Sequence, residues 1–104
     1  MEFELNEEQR AFGEAARTFA RSELAPFAAQ WDREQAFPRQ AIAAAGELGF
    51  CGLYAPERIG GLALPRLDAT VVFEELAAVD PSTTAFITIH NMATWMLGSW
   101  GSDA

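Results

Sequence analysis

The sequence contains no lysine, one cysteine and one histidine, and each shortage closes off a class of function. With a formal net charge of -8 and arginine as its sole strong base, the chain has no basic patch for a phosphate backbone or an anionic bilayer. No nucleic acid and no membrane is therefore expected as a partner. Cys51 alone forms neither an internal disulfide nor a cysteine zinc site, and reads as a small buried hydrophobe in a reducing compartment. His90 lacks a nucleophile pattern and a second ligand, which favours a packed or hydrogen-bonded imidazole over a catalytic one. Long hydrophobic runs are missing too, because Thr, Asn and His interrupt the apolar stretches short of a membrane span. The opening Met-Glu-Phe-Glu-Leu-Asn-Glu-Glu is acidic and has none of the regions of a signal peptide.

What is present is apolar mass. Half of the 104 residues are hydrophobic, eight of them Phe and three Trp, which suits one packed domain. Asn6 and Gln9 have the spacing of a capping box, with Glu7 and Glu8 in the first turn. Phe12, Ala15, Ala16 and Phe19 then recur at helical spacing, opposite Arg10, Glu14, Arg17 and Arg21. Pro26 should kink or end this helix near Leu24, and Phe27 and Trp31 continue an apolar stripe, predicting a kinked helix from Glu7 to about Glu34. Pro38 suits the first position of a second helix reaching Leu48, with Gly49 as its left-handed terminator.

Residues 50–65, rich in Gly and Pro, read as irregular. A third helix over Leu67–Val79 would bury Val72, Leu76 and Val79, although Thr70–Phe73 alone passes for a strand. Asp80-Pro81 starts a fourth helix that runs to about Gly98 and is apolar nearly all round. A helix of that kind belongs inside something larger than a domain of this size. The expected class is all-α, an orthogonal or up-down arrangement of about four main helices.

Some features invite a catalytic reading that their geometry refuses. Glu74 and Glu75 are helix neighbours pointing about 100° apart, so they form no acid/base dyad. Gly60-Gly61 lacks the strand before it and the helix after it that a phosphate loop needs, and reads as a tight turn with positive φ. The fourth helix is different. Thr84, Thr88, Asn91 and Trp95 form a mixed polar stripe, while Phe86, Ile89, Ala93 and Leu97 form a separate apolar face.

Three segments carry a resemblance. The first is Leu5-Asn-Glu-Glu-Gln-Arg-Ala-Phe, followed by Leu24-Ala-Pro-Phe-Ala-Ala-Gln-Trp-Asp-Arg-Glu and Phe37-Pro. The second runs from Leu48-Gly-Phe-Cys-Gly-Leu-Tyr-Ala-Pro-Glu to Gly60-Gly-Leu-Ala-Leu. The third is Phe73-Glu-Glu-Leu-Ala with Ser82-Thr-Thr-Ala-Phe-Ile-Thr-Ile-His-Asn-Met-Ala-Thr-Trp-Met. In this order and spacing they resemble the N-terminal domain of acyl-CoA dehydrogenases, and the run from Ser82 to Met96 is most similar to the isobutyryl-CoA branch.

The resemblance implies an enzyme with a helical N-terminal domain, a middle β-domain and a C-terminal helical bundle. FAD would lie between the last two, a glutamate of the bundle would take the α-proton, and the β-hydrogen would leave as hydride to the flavin. It implies that residues 1–104 are the N-terminal helical domain alone, with the middle and C-terminal domains absent, as the unclosed ending Trp100-Gly-Ser-Asp-Ala suggests. No catalytic residue, cofactor-binding residue or metal ligand is then expected on this chain, and the chain by itself is expected to be inactive. By the same match, Thr84, Ala85, Thr88, Met92 and Trp95 would bound the acyl chain of the substrate, forming the inner wall of its pocket. The implied partners are an acyl-CoA and an electron-transfer flavoprotein, in a homo-oligomer. The implied compartment is the cytoplasm, or the mitochondrial matrix in a eukaryote. A rival reading is a stand-alone, non-catalytic helical interaction module derived from such a domain. An acyl carrier protein is set aside, because Ser22, Ser82, Ser99 and Ser102 lack the Asp-Ser-Leu setting.

Overall fold

The computed structural model describes residues 4–102; Met1–Phe3 of the acidic opening and Asp103–Ala104 of the ending lie outside it. Asn6 caps α1 (Glu7–Phe19) through the predicted box: its carbonyl oxygen accepts from the Gln9 N–H at 2.7 Å, and the Gln9 side chain accepts from the Asn6 N–H at 3.0 Å. Gln9 also donates to Asp68 at 2.8 Å, tying the start of α1 to a helix far along the chain. On the predicted apolar face Ala16 and Phe19 are buried and Phe12 is half-buried, but Ala15 is exposed.

The first helix breaks near Leu24, as Pro26 led one to expect. Ala20–Leu24 widens into a π-turn, with the Ala25 N–H donating to the Ala20 carbonyl. A wide turn lets the chain leave the helical ladder ahead of a proline that cannot donate to it. The chain resumes as α2 (Ala28–Glu34), on which Phe27 stacks on Trp31 with centroids 5.7 Å apart. Among the described residues five α-helices thus stand where four main helices were expected, the first having divided.

Pro38 is the cap of α3 (Arg39–Glu47) rather than its first residue, and Gly49 ends it at φ 88°, as its position suggested. Residues 50–65 form an irregular arch holding a short 3₁₀ turn at Glu57–Ile59. The Leu62, Ala63 and Leu64 N–H groups donate to Gly52, Ala55 and Leu53, so the arch closes on its own backbone. α4 (Arg66–Ala77) resolves the strand-or-helix ambiguity at Thr70–Phe73 in favour of helix and buries Val72 and Leu76. Asp80 then caps α5 (Pro81–Trp100), accepting from the Thr83 N–H at 3.1 Å, with Pro81 in the first turn. Among the described residues there is no strand.

α4 is the central element, packed by both α1 and α5. Small residues at the crossings, Ala16, Ala20, Ala45 and Ala69, let backbones approach closely around Phe19, Leu24, Phe50, Leu53 and Ile87. Phe19 and Phe50 meet edge to face at 5.8 Å. The molecule measures 39 × 38 × 19 Å. Its short dimension is about two helix diameters, so every helix has an outer side, α5 included.

Candidate functional site

The inward side of α5 is held by polar groups. Thr84 and Asn91 are buried beside Ile87. The Thr84 hydroxyl donates to the Asp80 carbonyl at 2.8 Å, and the Thr83 hydroxyl donates to the Asp80 carboxylate at 2.6 Å. Asn91, with no exposed surface, donates to the Phe50 carbonyl at 2.7 Å and the Ile87 carbonyl at 2.8 Å, and accepts from the Leu53 N–H at 2.7 Å. One amide therefore closes the arch against the helix and satisfies backbone groups that have no helical partner. Among the described residues no buried side-chain nitrogen or oxygen lacks a partner. Arg58 of the arch adds a hydrogen bond to the Gly98 carbonyl near the end of α5.

The outward side is apolar and uncovered. Phe86, Ile89, Met92, Met96, Leu97 and Trp100 are all exposed, Leu97 by 71% and Trp100 by 72%. Phe86 is touched by Phe37, edge to face at 5.0 Å, and an open groove of about 550 Å³ runs from there between Trp31, Asp32, Pro38, Asp80 and Thr83.

The residues expected to wall an acyl pocket divide between these two sides. Ala85 and Met92 lie on the uncovered face, and Thr88 and Trp95 lie half-buried on its flank. Together the four recur at three, four and three residues and form one stripe along α5. Thr84 is buried behind that stripe. The mixed stripe read from the sequence is thus split: Thr84 and Asn91 serve the fold, and Thr88 and Trp95 border the free face. Thr88 turns its hydroxyl back to the Ala85 carbonyl at 2.8 Å, which leaves its methyl as the outward group.

Tyr54 and Arg66 escaped the sequence reading. The Arg66 guanidinium lies between the Tyr54 and Trp95 rings, 4.8 Å and 4.7 Å from their centroids, and Trp100 meets Trp95 edge to face at 5.2 Å. No local pattern announces such a stack, since its members come from the arch, α4 and α5.

The groups refused a catalytic role have other places. Glu75 accepts from Nε and one Nη of Arg17, at 3.1 Å and 3.0 Å, and Glu74 is exposed. The hydrogen bond from Arg17 holds the Glu75 carboxyl below the usual range, and the same bond raises Arg17. His90 is exposed on α5. Cys51 is half-buried, and burial pushes its thiol up, away from the thiolate. Gly60 has φ 92°, and the Gly60 and Gly61 N–H groups donate to Glu57 and Pro56. A Cβ on Gly61 would run into the Ala55 carbonyl. This pair closes a turn, and its donors are spent. Among the described residues no group of three or more His, Cys, Asp or Glu could hold a metal ion, and no helix is long and apolar enough to cross a membrane.

Comparison with known proteins agrees with this architecture. The chain is 46% identical over 99 residues to the mitochondrial isobutyryl-CoA dehydrogenase of Dictyostelium discoideum, and 43% identical over 99 residues to that of Bos taurus. Each match takes in 95% of this chain and 24% of the relative, so the chain spans about a quarter of the length of these proteins. A probable acyl-CoA dehydrogenase of Mycobacterium leprae (strain TN) is 35% identical over 101 residues, 97% of this chain and 26% of its own. In a solved structure reported as an electron transferring flavoprotein of Acidaminococcus fermentans, 97% of this chain and 31% of that one superpose with a TM-score of 0.80 at 28% identity. Residues 6–104 match the family described as acyl-CoA dehydrogenase, N-terminal domain, and with the all-helical fold and the capped, apolar α5 in place, the chain belongs to that family.

Proposed function

We propose that this domain serves a flavin-dependent enzyme that dehydrogenates a short branched acyl-CoA such as isobutyryl-CoA between its α and β carbons. In that enzyme α5 forms the inner wall of the acyl pocket. The observation that carries the reading is the uncovered face of α5, with Ala85, Thr88, Met92 and Trp95 in one stripe along its flank. These side chains offer methyl, thioether and indole surface and no free charge, which suits an aliphatic chain. Thr84 supports the stripe from the buried side. Bulk at Met92 and Trp95 shortens the space available, in keeping with a small branched acyl group.

The flavin belongs to the remainder of the enzyme. Its chemistry is to accept the electrons of the dehydrogenation, and the glycine pair that could have cradled its phosphates is occupied with its own turn. Residues 1–104 by themselves are expected neither to hold FAD nor to reduce a dye with isobutyryl-CoA. The remaining domains would be a middle β-domain and a C-terminal helical domain, the latter holding the base. An electron-transfer flavoprotein as redox partner accords with the flavoprotein named for the superposable structure. The relatives named mitochondrial support a matrix location if the source is eukaryotic, and the cytoplasm otherwise. A homo-oligomer is the expected state of the whole enzyme.

The test is a substrate ratio. Thr88→Ala and Trp95→Leu in the full-length enzyme should raise kcat/KM for hexanoyl-CoA relative to isobutyryl-CoA by about tenfold or more, the lower end of discrimination per methylene in an apolar pocket. An unchanged ratio with a lowered melting temperature would retire the pocket. A second reading, a non-catalytic interaction module, draws on the same uncovered face. It would gain if a protein containing this domain bound a partner through α5 and turned over no acyl-CoA.

A further inference from the structure

We infer that Arg66 is a positioning residue for acyl-chain selection, acting through Trp95. The inference rests on the pocket reading above and adds a residue that reading does not contain.

Acidic residues outnumber basic ones by 15 to 7 in this chain, yet among the described residues Arg66 has no carboxylate within ion-pair distance. Its guanidinium is held by two aromatic faces instead. Both supports are fixed independently of Trp95. Tyr54 packs against the hydrophobic core from the arch. The Arg66 backbone begins α4, the helix that packs against both α1 and α5. Trp95, by contrast, is half-buried and is not among the side chains packed on the core. Its indole meets the Arg66 guanidinium and packs edge to face with Trp100, itself exposed.

Two torsions would let the indole swing between the arch and the free face of α5. The Tyr54–Arg66 pair removes that freedom on the arch side. A guanidinium offers a broad, weakly hydrated cation to two rings at once, which a compact ammonium does less well, so arginine suits this geometry better than lysine. Trp95 ends the stripe that begins at Ala85. Its orientation decides how much space remains beyond Met92, and Arg66 sets that orientation without touching the acyl chain.

The test is a double-mutant cycle in the full-length flavoenzyme, reading kcat/KM for hexanoyl-CoA and isobutyryl-CoA alongside melting temperature. Arg66→Met should shift the ratio toward hexanoyl-CoA about two- to fivefold, which is what one exposed cation–π contact amounts to. Arg66→Lys should fall between Met and the parent. In a Trp95→Leu background, Arg66→Met should add nothing to the ratio. If Arg66→Met shifts the ratio equally with and without Trp95, the inference is overturned, because the arginine then acts by another route. A ratio moved by Trp95→Leu but not by Arg66→Met overturns it while leaving the pocket standing. A ratio that Trp95→Leu leaves in place retires the pocket and this inference together. Should Arg66→Met give no folded enzyme, Arg66→Lys carries the same cycle, since it keeps the charge and loses the stacking plane.

Discussion

The two sides of α5 reverse the usual distribution of an amphipathic helix. The side turned into the domain carries Asp80, Thr83, Thr84 and Asn91 among its buried residues, whereas the side turned away carries Phe86, Ile89, Met92, Met96, Leu97 and Trp100. Burial of the polar side costs little because each group is satisfied: the Thr84 hydroxyl returns to the Asp80 carbonyl, the Thr83 hydroxyl to the Asp80 carboxylate, and Asn91 meets the Ile87 carbonyl and backbone groups of the arch. Exposure of the apolar side has no such compensation within the domain. The difference teaches that the inner side settles how this domain holds itself together and leaves the outer side free for the role proposed above. An apolar face of that extent is a surface awaiting its counterpart.

The contrast breaks most readily at Asn91. Asn91→Ala strips partners from the Phe50 carbonyl and the Leu53 N–H inside a closed core, so stability in denaturant should fall by about 3 kcal/mol. A loss under 1 kcal/mol would mean that water replaces the amide. Asp80→Ala should cost about 1 kcal/mol by the same measurement, the usual worth of an N-cap. Its loss should fray the start of α5 without disturbing the arch, which chemical-shift changes confined to the first turn would show.

The outer side predicts the opposite behaviour. Ile89→Gln and Leu97→Gln should change the stability of residues 1–104 by less than about 0.5 kcal/mol each, since neither is buried. Both should lower binding of a hydrophobic dye to the chain, and a large loss of stability would show that the face is covered within the domain after all. The smallest effect is expected away from α5. Glu75 is held below its ordinary pKa by Arg17, so its contribution is present above the unfolded value and is lost as pH falls through the folded one. Glu75→Gln should therefore flatten a slight acid limb of the stability profile, with a small loss at neutral pH that disappears in acid.

The caps were legible from the sequence because they are local. Asn6 with Gln9, Gly49, and Asp80 with Pro81 each act within a few residues of their own backbone, and all stand near where their spacing placed them. The kink was legible in kind, but a proline announces that a ladder must break without saying that a π-turn ahead of it will absorb the strain. Thr70–Phe73 shows the limit of short apolar runs, whose period is ambiguous until packing against α1 selects the helix. On α5 the helical spacing grouped Thr84, Thr88, Asn91 and Trp95 in one stripe, which the structure divides, and it said nothing about which side faced inward. The hydrogen-bond needs of the arch decided that, through Asn91.

What the sequence by itself determined, then, is the all-helical class, the places where helices start and stop, and membership of the acyl-CoA dehydrogenase N-terminal domain family. These depend on backbone donors and acceptors finding partners one turn away and on side-chain period, which are properties of adjacent residues. Only the tertiary structure decided that Thr84 and Asn91 are spent on the fold, that Ala85, Thr88, Met92 and Trp95 share one flank, and that Arg66 lies between Tyr54 and Trp95. The physical reason is distance along the chain. A slab two helices thick turns one side of every helix outward, and which side that is follows from how the arch, α4 and α5 satisfy one another in space.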